Sequence, residues 1–277
     1  MVRRAARVMT PISEANGCRR QLGAGMMTVT QQDITHGLRA LGLRNADRVL
    51  VHSSLSSFGH VEGGADEVID ALLEVVGPAG TLLVPTLTGT EALSPQNPPV
   101  FDPVHTPCWT GRIPETCRQR PDAIRSLHPT HSVAAIGADA AMLTRDHVDS
   151  ITPCDALSPY GKLAQLANGY ILLIGVDHES NTTMHHIEEL AGAEYHMQPE
   201  FAAARIVVDG AETVRHILLH AYGPERHFNI MEPVFVERGI QRNGQIGDAT
   251  LRLIHAGRMV AATIQAVRAN PRILCAQ

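Results

Sequence analysis

Residues 170–189, YILLIGVDHESNTTMHHIEE, leave few choices for the surrounding fold. Ile171, Leu172, Leu173 and Ile174 form an unbroken apolar run between Gly169 and Gly175. A run that short, bracketed by glycines, predicts a strand covered on both faces of a sheet. A polar loop follows. Asn181, Thr182 and Thr183 are residue types whose side chains accept hydrogen bonds from the free amides of a helix start, and residues 184–191 predict that helix. Open α/β sheets bind their ligands at such strand–loop–helix crossings. His185 falls in the first turn, with Glu188 three residues on and Glu189 four, on the same face. A histidine beside a carboxylate at a helix N-terminus is a candidate general base. A structural histidine would read the same way, since the chain has 15.

The rest of the chain supplies the layers around that strand. Thr30 with Asp33 predicts a capping pair for a helix over residues 31–41, and Gly42 its end. RVLVH, residues 48–52, reads as a buried strand, and a Ser/Gly-rich loop fills residues 53–64. A helix over 65–76 shows Val68, Ile69, Leu72, Leu73 and Val76 on one face. After the Gly-Pro-Ala-Gly turn, TLLVP at 81–85 is another buried strand. Strand, helix and strand in this order predict a parallel pair with a right-handed crossover. Residues 86–110 carry five prolines and no periodicity; a loop of that length is expected to wall a cleft. Further elements are expected at 112–119 (helix), 132–136 (strand), 138–143 (helix) and 158–167. The last is a helix capped by Ser158 with Pro159 at its first position. The C-terminal third predicts a β-hairpin at 203–220, a helix near 228–238, a strand at 251–254 and a helix at 257–268. The fold class is α/β: a mixed, largely parallel sheet with helices on both faces, plus a C-terminal hairpin and helix region. Residues 28–277 are expected to form a single domain. Residues 1–27, with five arginines and no period, read as an extension outside the core.

Composition narrows the function classes. A net charge of −5 argues against nucleic acid as the main partner and is compatible with a cationic ligand. Five scattered cysteines without a C-x-x-C pair fit a reducing cytoplasm better than a disulfide framework. No run approaches the ~18 apolar residues of a membrane span. The H-E-x-x-H spacing is absent, so His178, His185, His186, Glu188 and Glu189 are not expected to hold a metal. No G-x-S-x-G occurs for a serine hydrolase, and no G-x-G-x-x-G or G-K-[ST] loop for a nucleotide. The loop holding His52, Ser53, Ser54, Leu55, Ser57 and Gly59 could cradle an anion through its amides, or be an ordinary turn.

Five blocks in order and spacing resemble the aminoglycoside 3-N-acetyltransferase family. They are VHSSLSSFGHVEGGADEVIDAL, GPAGTLLVPTLT, FDPVHTP with ETCRQRPDAIRSLHPTHSVAAIG, SPYGKL, and G-V-D-H followed by N-T-T-M-H-H-I-E. The resemblance covers about residues 30–195 and is looser beyond them. It implies acetyl transfer from acetyl-CoA to the 3-amino group of an aminoglycoside, a polycationic amine, by direct attack in a ternary complex. It assigns His185 as base and Glu188 as the carboxylate that orients it. Thr182 and Thr183 read as caps of the helix start, with Thr183 alternatively a hydroxyl donor to the developing oxyanion. Glu189 is then expected to be solvated. The CoA-binding residues it implies are His52, Ser53, Ser54, Leu55, Ser57 and Gly59; Arg125, Ser126, His128 and Ser132; and Ser158, Gly161 and Lys162. Asp102 and Glu225 are expected at the substrate. The family commonly has an acid after the hairpin, and the segment 220–228 has none at that spacing, so Glu225 stands in. The chain is expected to be cytoplasmic and a monomer or homodimer, with no metal. Alternatives are an acetyltransferase for another small amine and a CoA-binding protein without catalysis.

Overall fold

A computed structural model describes residues 28–276; the N-terminal extension expected over 1–27 lies outside the described residues. Thr28–Val29 (β1) leads into helix Gln31–Leu41 (α1). The Thr30 side chain accepts from the Asp33 amide, and the Asp33 carboxylate accepts from the Thr30 amide, so the expected capping box is present. Arg48–Ser53 (β2), the short strand His60–Val61 (β3), helix Gly64–Val76 (α2) and Thr81–Pro85 (β4) follow. β2 and β4 pair in parallel, Val49 with Leu82, as the strand–helix–strand order predicted. Val100–Phe101 (β5), helix Arg112–Arg118 (α3), Ile124–Arg125 (β6), Val133–Gly137 (β7) and helices Ala140–Thr144 (α4) and Pro159–Ala164 (α5) lead to Gly169–Ile174 (β8) and helix Thr183–Leu190 (α6). The chain closes with Ala202–Val208 (β9), Ala211–Ile217 (β10), helix Glu232–Glu237 (α7), Gln241–Ile246 (β11), Ala249–His255 (β12) and helix Ala256–Ala269 (α8). No helix among the described residues is long and apolar enough to cross a membrane.

The main sheet has seven strands in the order β11-β12-β8-β2-β4-β7-β6. It is mixed, as expected, but parallel pairing is confined to its centre. β2 lies parallel to both β4 and β8, while β12 on β8, β11 on β12, β7 on β4 and β6 on β7 are antiparallel. The reason is connection length. A parallel neighbour needs a crossover, which α2 supplies, whereas β11 and β12 are joined by the two-residue turn Gly247-Asp248 and can only pair antiparallel. β11 has no apolar run and was not anticipated. As an edge strand it buries only Gln241 and Ile246. A second sheet, β10-β9-β5, contains the expected hairpin plus a short strand inside the 86–110 segment. The helix expected at 228–238 is split: a 3-10 turn over Phe228–Met231, then α7. The helix expected to reach residue 167 ends at Ala164.

Strand alternation sorts the core into two faces. Val49, Val51, Leu82, Val84, Leu172 and Ile174 point to one side and pack with Ile34 and Leu38 of α1 and Val68, Ile69 and Leu72 of α2. Leu50, Leu83, Ile171 and Leu173 point to the other and pack with Leu143 of α4, Leu163 of α5, Met184 and Ile187 of α6, Phe235 of α7 and Met259 of α8. β8 is therefore covered on both faces, as its unbroken apolar run required.

Candidate active site

β8 is followed by Gly175, whose φ of +63° suits glycine, and a Cβ there would collide with the Ser57 side chain. This close approach joins the end of β8 to the loop after β2. The chain then passes through Asp177, whose side chain accepts from the Glu179 amide, into α6. The helix is started by Asn181: its Oδ1 accepts from the Thr183 amide at 3.2 Å. The threonines do not cap. Thr182 already has helical backbone angles and makes no capping bond, because Asn181 reaches the free amide first.

The loops at the ends of β2, β4 and β8 enclose a cleft of about 280 Å³ whose lining includes His52, Ser53, Trp109, Glu179, Thr182 and His185. His185 Nδ1 lies 2.8 Å from Glu188 Oε2. Glu188 is fully buried. Its Oε2 also lies 3.0 Å from His196 Nδ1, and its Oε1 accepts from Arg226 Nε at 3.0 Å. Burial by itself raises the Glu188 pKa, but the hydrogen bonds from His185 and His196 outweigh it and hold the carboxyl well below its usual range. An ionised carboxylate only accepts, so His185 carries its proton on Nδ1 and keeps the Nε2 lone pair. Burial pushes the His185 pKa down, while the Glu188 bond partly restores it. The result is a neutral imidazole, oriented from behind, at the wall of a cleft. His196 goes the other way: burial lowers it, but its bonds to Glu188 and Glu189 prevail and raise its pKa.

Glu189 is not solvated. Its side chain is 6% exposed and accepts from the Cys154 amide at 2.8 Å and the Thr152 hydroxyl at 2.6 Å. Helical spacing gave no sign of this, because both donors come from a loop more than thirty residues away. Thr183 is also fully buried, and its hydroxyl has no partner among the described residues; Thr182, one position earlier, lines the cleft.

The first implied CoA block lies where a long ligand could reach the cleft. Ser53 is shared with a surface groove of about 620 Å³ whose lining includes Ser54, Leu55, Gly59, His60 and Arg112. Ser57 stands behind it, its hydroxyl donating to the Ser54 carbonyl at 2.6 Å. His52 is buried and held neutral, its pKa pushed down to about 3 by burial and by His178 and His185.

The other two blocks do not line the cleft, and most of their polar atoms are engaged inside the protein; His128 Nε2 is buried without a partner among the described residues. Arg125 donates to the carbonyls of Thr86, Pro103 and Thr106 and to the Ser132 hydroxyl, so it fastens the 86–110 segment to β7. Ser126 bonds His147 Nδ1 at 2.8 Å. His128 Nδ1 accepts from the His131 amide at 3.1 Å. Ser158 caps α5 through the Gly161 amide, and Lys162 pairs with Asp146 at 2.7 Å. Neither implied substrate acid lines the cleft. Asp102 Oδ1 accepts from the amides of Val104 and His105, and Glu225 stands apart from the cleft-lining residues. The carboxylate at the cleft is Glu179. Glu179, Trp109, Arg112, His196 and Arg226 were not singled out in the sequence. Trp109 alone carried a signal, as the single tryptophan, set in the segment expected to wall the cleft.

A model of the family "Aminoglycoside 3-N-acetyltransferase" matches residues 50–268. Aminoglycoside N(3)-acetyltransferase VII of Streptomyces paromomycinus is 34% identical over 260 residues, covering 84% of this chain and 89% of that protein. Among solved structures, a histidine-to-alanine mutant of aminoglycoside acetyltransferase AAC(3)-IVa in complex with a gentamicin superposes with a TM-score of 0.79. It is 27% identical, covering 92% of this chain and 94% of the other. AAC-IIIb, as a binary complex with CoASH, gives a TM-score of 0.76 at 27% identity, over 88% and 97%. The chain is therefore an acyltransferase. It belongs to the aminoglycoside 3-N-acetyltransferase family.

Proposed function

We propose that this enzyme transfers the acetyl group of acetyl-CoA to the 3-amino group of an aminoglycoside, by direct attack within a ternary complex. The observation that carries this reading is the orientation of His185: Nδ1 on the buried Glu188 carboxylate, and Nε2 left for the cleft. The acceptor nitrogen attacks the thioester carbonyl carbon, Nε2 takes the proton that the nitrogen loses, and the carbon–sulfur bond breaks with the electron pair leaving on CoA sulfur. Glu188 stabilises the imidazolium that forms, and no acyl-enzyme is needed. The groove from Ser53 to Gly59, with exposed Arg112 at the start of α3, offers backbone amides and a cation to the CoA phosphates. Thr182 and Thr183 are the hydroxyls nearest in sequence to the base for the developing oxyanion. Glu179 offers a carboxylate to a substrate ammonium, in the cleft that Trp109 also lines. The names and bound ligands of the relatives support both substrates.

A second reading keeps the chemistry and changes the acceptor to another small amine. It is favoured by one observation: Glu225, the acid expected to face the substrate, is not among the residues lining the cleft. A panel of aminoglycosides and simple amines, assayed by thiol release from acetyl-CoA, separates the two. Release only with acceptors bearing the 3-amino group supports the first. Release with unrelated amines supports the second. Acetyl-CoA bound without any release would leave a non-catalytic binding protein. Chelators are expected to leave turnover intact.

A further inference from the structure

We propose that His131, Cys154 and His220 form a binding site for a soft divalent transition-metal ion, and that filling it slows acetyl transfer. Each of the three offers one donor atom, and these atoms lie within 4.8 Å of one another. In a tetrahedral site, bonds of about 2.3 Å to sulfur and about 2.0 Å to nitrogen set donors roughly 3.5 Å apart. Metal entry would draw the donors together by that difference.

The support behind the donors makes this more than a chance cluster. The Thr130 hydroxyl sits 2.9 Å from His131 Nδ1, leaving Nε2 for a ligand. Glu189 Oε1 sits 3.4 Å from His220 Nε2, leaving Nδ1. A carboxylate behind an imidazole fixes the ring and raises its basicity toward a metal. The same Glu189 holds the Cys154 amide, and His186 Nδ1 holds the Cys154 carbonyl at 2.5 Å, so the thiol's backbone is pinned from both sides. The His131 and His220 rings meet edge to face at 4.3 Å. Burial holds both rings neutral, with lone pairs free, and pushes the Cys154 thiol up. Metal entry therefore exchanges the S–H proton for an S–metal bond and releases that proton. One thiolate with two imidazoles selects zinc or cobalt over magnesium or calcium. None of the three residues is used in the acetyl transfer described above.

The inhibitory half rests on His185 as the base. Its ring centroid lies 4.8 Å from that of His220. A dication held there repels the cationic acceptor that must reach His185 in the cleft. The competing trio of His185, His196 and His220 also has its donor atoms within 4.8 Å of one another. It contains no sulfur, and that makes the two distinguishable.

The test is titration of the full chain with cobalt(II), read by absorption and by turnover. The expected result is a thiolate-to-cobalt charge-transfer band saturating at one equivalent, displaced by zinc. It is lost in Cys154→Ser and His131→Asn but kept in Cys108→Ser. Turnover falls at least about tenfold at saturation, the scale of roughly 1.4 kcal/mol of charge repulsion, and a chelator restores it. Absence of the band, its survival in Cys154→Ser, or full turnover with the band saturated would each overturn the proposal. The spectrum needs no turnover, so it stands or falls separately from the role of His185. If Cys154→Ser does not fold, His131→Asn decides by the same readout.

Discussion

The two faces of the central sheet are built from the same strands and differ in what they bury. On one face, α1 and α2 meet alternate residues of β2, β4 and β8 through aliphatic side chains such as Ile34, Leu38, Val68 and Leu72. On the other, α6 brings His185, His186 and Glu188 inward, and His131, His147, His196 and His220 lie buried or nearly so around them. The rings run in contact, from His147 stacked on His128 at 4.6 Å to His220 against His196 at 4.2 Å. The first face is held by area removed from water. The second depends on buried polar groups, neutral histidines around the ionised Glu188 and its partner Arg226, which makes it costlier to assemble and able to do chemistry. Stability and reactivity are thus separated by the thickness of one sheet.

That separation can be broken from either side. The largest effect is expected for His185→Ala, which should lower turnover by ~10²–10⁴-fold with acetyl-CoA binding and melting temperature nearly intact; near-normal turnover would remove the base assignment. Glu188→Gln should act on both properties. Turnover falls by less, since the ring remains, but Arg226 is left buried beside a neutral amide, at a cost of about 3–5 kcal/mol in stability. A denaturant melt with unchanged midpoint would show that the carboxylate is not the anchor of this face. Leu72→Ala, on the aliphatic face, should cost about 2–5 kcal/mol, and turnover per folded molecule should hold. A matching loss of specific activity would mean that the two faces are coupled.

Acid should sort the faces as well. His52, His128, His131, His147, His185 and His220 all have pKa values below 6.5, from burial first. The folded state therefore takes up fewer protons than the unfolded one. Their contribution to stability is complete above pH 6.5 and is lost as pH falls below it; for His147, whose pKa is pushed down to about 4, the loss is about 1.4 kcal/mol per pH unit between those values. His196, with its raised pKa, works in the opposite sense, and is outnumbered. Melting temperatures that stay flat from pH 7 to pH 5 would contradict this. The smallest effect is expected for Thr30→Ala, which removes one cap from α1 at about 1 kcal/mol and should leave turnover unchanged.

Local rules, read along the chain, reach the elements and pairs that neighbouring residues define. The apolar runs at 49–51, 82–84 and 171–174 marked the central strands, because a strand covered on both faces has no polar alternation to confuse it. Thr30 with Asp33 and Ser158 with Pro159 marked their helix starts through bonds spanning three residues. His185 and Glu188 were legible as a pair because they sit one turn apart on α6. Tertiary structure decided what those rules cannot reach. Arg226 reaches Glu188 across 38 residues, Thr152 and Cys154 take Glu189 out of solvent, and Arg125, implied for CoA, gives its guanidinium to carbonyls of the 86–110 segment. It also brought His131, Cys154 and His220 together from three segments with no shared spacing. Spacing along a chain reports only neighbours on one element, whereas these contacts are fixed by how separate elements pack, and each is the partner that a buried polar group must find to stay buried.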